Sequence, residues 1–116
     1  MTLYYIAAAI ICLAAVFHSI KGEELLIKPT LAAKDAFIQR PMTQAITRFG
    51  WHSSSLYMLL TAILLVYPEV PEFIKFLTGV LWLVLGAANL IMTKAKHPGG
   101  ALLSIIGIII LIGYFL

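Results

Sequence analysis

Long apolar runs alternate with short polar breaks along this chain. The first run extends from Leu3 to Ile20, with His18 and Ser19 near its end. A polar interlude follows, holding Lys21, Glu23, Glu24, Lys28, Lys34, Asp35 and Arg40 and punctuated by Pro29 and Pro41. The next run is apolar only after Arg48, so His52 sits about one turn inside its boundary. Pro68-Glu69-Val70-Pro71-Glu72 reads as a tight helical hairpin, with the acids favouring the N-terminus of the helix that follows. Pro98 and the Gly99-Gly100 pair turn the chain into a last run that reaches Leu116. The pattern predicts helices over about 3–20, 42–67, 71–93 and 100–116. Thr30 is placed to cap a short amphipathic interfacial segment over 30–38, and Pro41 suits a helix's first turn. The last run, 101–116, gives about 24 Å of helix at ~1.5 Å per residue, short of the ~30 Å hydrocarbon core.

Composition settles the solvent. Of 116 residues, 62% are hydrophobic and 11% charged. A soluble domain this small has too little interior to bury so much apolar surface. The expected class is an all-α, antiparallel four-helix transmembrane bundle, one domain over 1–116, with the lipid bilayer as its partner. The first run has no Lys or Arg ahead of it, so it reads as a retained helix rather than a secretory signal. Cys12 is the only cysteine, which excludes an internal disulfide and a cysteine metal cluster.

The net charge of +3 changes meaning once the charges are placed. By hairpin parity, Lys21, Lys28, Lys34, Arg40, Arg48, Lys94 and Lys96 fall on one side, and Lys75 with Glu69 and Glu72 on the other. This positive-inside bias predicts both termini on the non-cytoplasmic side, and the expected location is a bacterial inner (plasma) membrane. Topology and anionic lipid account for the basic residues, and no nucleic-acid partner is needed.

The same parity carries all three histidines to the cytoplasmic end. His18, His52 and His97, with Glu23 or Glu24, form a candidate metal site for one transition ion: zinc, iron or copper. Ser55, Trp51 and Asn89 are candidates to orient those ligands from outside. Gly79, Trp82, Gly86, Asn89 and Thr93 lie on one helical stripe, so Gly79 and Gly86, with Gly107, are expected to pack helices. An enzyme on this plan would be a metal-dependent oxidoreductase acting on a lipid-soluble substrate. Two other readings stay open. One is an accessory subunit or homo-oligomer without metal, within a larger membrane complex. The other is an oligomeric channel or carrier lined by Ser54, Ser55 and Asn89.

The elements His18-Ser19-x-x-Gly22-Glu23, Trp51-His52 and His97-Pro98 resemble a set found in small uncharacterised bacterial four-helix membrane proteins. The resemblance covers nearly the whole chain. It implies the four-helix fold and the joint occurrence of these elements, and it favours Glu23 over Glu24 as the partner of His18. It implies no activity. A phosphate loop, Cys-x-x-Cys, a Ser-His-Asp order and His-x-x-x-His are all absent from the sequence. With Asn89 as the deepest strongly polar group, a charged relay for a pump is not expected.

Overall fold

In lipid a chain segment must satisfy its own backbone, and the apolar runs do so as helices. The computed structural model describes residues 1–116 and contains helices and turns but no strand. Helix α1 spans Thr2–Gly22, followed by one π-helical turn, Glu23–Ile27, and the short α2, Lys28–Leu31. Then come α3 (Pro41–Val66), α4 (Glu72–Met92) and α5 (Pro98–Phe115). With α1 to α2 counted as one helix, four helices of 30, 26, 21 and 18 residues are long and apolar enough to cross a membrane. Leu13, Phe17, Leu56, Val84 and Ile91 are all exposed, an outer surface that water opposes and lipid favours. The protein is all-α and of the integral membrane class.

The first helix does not stop near Ile20. Its backbone stays right-handed through Gly22, and the Lys28 N–H reaches back to the Glu23 carbonyl across the wide turn. That shift of register lets Pro29 sit in the first turn of α2, where its missing N–H is tolerated. The amphipathic segment expected over 30–38 is not a helix. Leu31 ends α2, and the Asp35 carboxylate accepts from the N–H groups of Phe37 and Ile38 at 2.9 and 3.1 Å. Two glutamine amides finish the turn: Gln39 donates to the carbonyls of Leu31 and Ala33, and Gln44 to those of Leu31 and Ile38. Side chains thus do the work of a helical ladder. α3 begins at Pro41, as its sequence predicts.

The chain divides into two compact units: Met1–Ile11 with Thr61–Leu116, and Cys12–Leu60. In the first, Ala7, Ile11, Leu65, Trp82, Ile106 and Ile110 are buried. Helices α4 and α5 pack antiparallel, because contacts fall in number along α5 as they rise along α4. A Cβ on Gly79 would meet Ile110 and Leu111, and one on Gly86 would meet Ser104 and the Gly100 carbonyl. At Gly107 it would lie 2.6 Å from the Leu83 backbone nitrogen. These glycines are spent within the chain, as the close approach of two membrane helices requires. Asn89 belongs to this pair, with its carbonyl accepting from the Thr93 hydroxyl and its Oδ1 facing Gly100.

A polar cluster also closes the other end of the first unit. Lys75, 3% exposed, donates to Glu72 at 2.7 Å and lies 5.0 Å from the Tyr4 ring centroid. The Tyr4 hydroxyl donates to the second Glu72 oxygen at 2.8 Å.

Candidate functional site

The second unit, Cys12–Leu60, holds the polar residues that the sequence singles out on α1 and α3. Its chemistry follows from side chains four apart, which share a helix face. On α1 and the turn after it, Ser19 and Glu23 form such a pair. On α3, Arg48 with His52, and Trp51 with Ser55, form two more.

Arg48 and His52 close on Glu23 and Ser19. The Arg48 Nε–H donates to Glu23 Oε1 at 3.0 Å, and His52 Nε2 lies 3.2 Å from Glu23 Oε2. On the far side of the same ring, His52 Nδ1 lies 2.6 Å from the Ser19 hydroxyl. The network assigns the tautomer. A carboxylate can only accept, so Nε2 carries the hydrogen and donates to Glu23. In the neutral ring Nδ1 is then left with its lone pair, and the Ser19 O–H donates to it. The result is one directed line, Ser19 to His52 to Glu23, anchored by Arg48. Glu24 turns away and accepts from Lys21 at 2.8 Å, so the carboxylate that faces His52 is Glu23.

Trp51 and Ser55 fix His18. The indole stacks on the imidazole with centroids 4.1 Å apart and planes 10° from parallel. The indole N–H donates to the His18 carbonyl at 3.0 Å, and His18 Nδ1 shares a 3.0 Å hydrogen bond with the buried Ser55 hydroxyl. Gly22 makes this possible, because a Cβ there would strike the Trp51 ring. Ser19 and Arg48 are absent from the set expected of the sequence. The signal that finds them is the pair of four-residue spacings, Ser19/Glu23 and Arg48/His52, on two helices that end in the same loop.

Beside this line lies a groove of about 400 Å³, lined by Ala15, Val16, Ser19, His52, Ser55, Leu56 and Leu59. Its walls are aliphatic, and its polar groups are two hydroxyls and one imidazole.

Of the expected metal ligands, His18, His52 and Glu23 lie in this unit. His97 lies in the other, where its Nδ1 accepts from the Gly99 N–H at 3.2 Å and caps α5. No group of three or more His, Cys, Asp or Glu side chains is arranged to hold a metal ion. Asn89 contributes to the α4–α5 contact, while Trp51 and Ser55 do orient a histidine, His18. Comparison with known protein families, characterised proteins and solved structures gives no match to this chain.

Proposed function

We propose that this protein is a bacterial inner-membrane protein that binds a lipid-soluble molecule bearing a carbonyl or hydroxyl head. The molecule's chain lies in the α1–α3 groove and its head meets Ser19, His52 and Ser55. The observation that carries this reading is the Ser19–His52–Glu23 line ending at the polar end of an apolar groove. A tail gains free energy from aliphatic walls, and a few fixed polar groups select the head. The basic residues Lys21, Lys28, Lys34, Arg40 and Arg48 support a reading in which this end of the unit lies at the cytoplasmic interface and both termini lie outside.

The test is photo-crosslinking in bilayers with a long-chain ester carrying a diazirine near its carbonyl. Adducts are mapped by peptide mass spectrometry, with Val16→Trp and Leu56→Trp as variants. Both residues line the groove and are exposed, so a larger side chain fills the groove while leaving the buried residues alone. The expected result is adducts concentrated at 15–19 and 52–59, lost in both variants. Adducts spread evenly over all four helices, and unchanged by either variant, would refute the reading.

A further inference from the structure

Serine, imidazole and carboxylate in a single hydrogen-bonded line have more chemistry than binding requires. We infer that Ser19 is an acyl-accepting nucleophile, and that the groove is the site of hydrolysis of a lipid ester. This rests on the binding reading above and names its substrate class.

A serine hydroxyl is a weak nucleophile until a base takes its proton. Here the base is His52 Nδ1, 2.6 Å from the hydroxyl. Glu23 holds the opposite nitrogen at 3.2 Å, which keeps the lone pair on Nδ1 and stabilises the imidazolium that forms. The two ring nitrogens exchange the roles they play in soluble serine hydrolases. The chemistry needs only one nitrogen facing the hydroxyl and the other facing the acid, and such constellations are recognised by geometry rather than by sequence order. Arg48 on the second Glu23 oxygen fixes the carboxylate in place. The π-helical turn begins at Glu23 itself, and turns of that kind recur where a helix must aim a functional side chain.

The reaction balances with water as the only co-reactant. Ser19 Oγ bonds to the ester carbonyl carbon as its proton passes to His52 Nδ1. The carbon–oxygen bond to the alcohol then breaks, and the alcohol leaves with that proton. Water from the interface gives a proton to His52 and its oxygen to the acyl carbon. The fatty acid departs, and Ser19 recovers its hydrogen from His52. Ser55, one turn along α3 from His52 and lining the same groove, is the hydroxyl placed to hydrogen-bond the carbonyl oxygen as charge grows on it; this requires His18 Nδ1 to donate to the Ser55 oxygen, which leaves the Ser55 hydrogen for the substrate.

The experiment is labelling of the full chain in bilayers with a long-chain alkyl fluorophosphonate, read as an intact-mass shift and mapped to its residue. One adduct per chain at Ser19 is expected, absent in Ser19→Ala. Labelling should slow about a hundredfold in His52→Ala and about tenfold or more in Glu23→Gln. The diazirine ester is run beside it on the same variants, and each variant's thermal midpoint is measured. Mapping the phosphonate to Ser19 itself separates a nucleophile from a merely structural hydroxyl, and the photo-adducts of the unsubstituted chain report binding independently of it. Photo-adducts in the groove with no phosphonate on Ser19 would overturn the nucleophile and leave the binding reading standing. Loss of both signals in folded protein would overturn both, and a phosphonate adduct that survives His52→Ala unchanged would overturn the role of the imidazole.

Discussion

Gly22 and Gly50 are both helical glycines, and replacing each with alanine should shift stability in opposite directions. At Gly50 an added Cβ meets nothing within 4 Å, so Gly50→Ala keeps only the gain in helix propensity, about 0.5–1 kcal/mol. At Gly22 the backbone is equally right-handed, with φ −62° and ψ −42°, but the Cβ would overlap the Trp51 indole. The ring must leave. Its N–H loses the His18 carbonyl, costing about 1 kcal/mol, and its stack on the imidazole goes, costing about 1 kcal/mol more. After the same propensity gain, Gly22→Ala is destabilised by about 1 kcal/mol. The two variants then differ by about 2 kcal/mol, a factor of roughly 30 in the folding constant. Equilibrium unfolding in mixed micelles reads that gap. Tryptophan emission reads the displaced indole, because Trp82 stays buried with its N–H on the Thr61 hydroxyl. If Gly22→Ala proved as stable as Gly50→Ala, with emission unchanged, the packing of Trp51 over Gly22 would be wrong.

The α4–α5 contact and the charged groups give further tests. Gly107→Ala should cost about 2 kcal/mol, because its Cβ meets immovable backbone, whereas Gly79→Ala meets side-chain methyls at 3.0 Å and should cost under ~1 kcal/mol; the same unfolding titration ranks them, and the reverse order would contradict the packing. Glu72→Ala leaves the Lys75 ammonium without its acid and should destabilise by about 1–2 kcal/mol, the full cost for a buried pair being reduced because Glu72 is itself 57% exposed. Lys75→Met should be neutral or stabilising by comparison, and equal losses in the two would contradict that cost. Both ring nitrogens of His52 and both oxygens of Glu23 are already engaged, so protein equilibrated with zinc and then dialysed should hold well under one ion per chain by elemental analysis. A stoichiometric ion that His52→Ala removes would support the metal reading instead.

The helices were legible because lipid leaves a chain few options: an apolar run of sufficient length must be helical, and the runs say where. The end of the first helix was not legible. Pro29 reads as a stop, and only the π-helical turn ahead of it lets the helix continue. The interfacial segment looked amphipathic by spacing, yet Asp35, Gln39 and Gln44 offered its backbone side-chain partners instead. Within the site, the sequence singled out His18, His52 and Glu23, and also Trp51 and Ser55. It pointed to a metal because histidines at one depth suggest ligands. What it could not supply was the rotation of each helix about its axis, which sets Ser19 rather than His18 against His52. His97 shared the parity of the others, but the residues that follow it, Pro98 and Gly99, make it a helix cap.

Histidine nitrogen NMR on protein labelled with ¹⁵N in bilayers tests the directed line itself. The account predicts that the neutral form of His52 carries its hydrogen on Nε2, that Ser19→Ala moves chiefly the Nδ1 resonance, and that Glu23→Gln moves chiefly Nε2. A His52 carrying its hydrogen on Nδ1, or one whose two resonances ignore both substitutions, would contradict it.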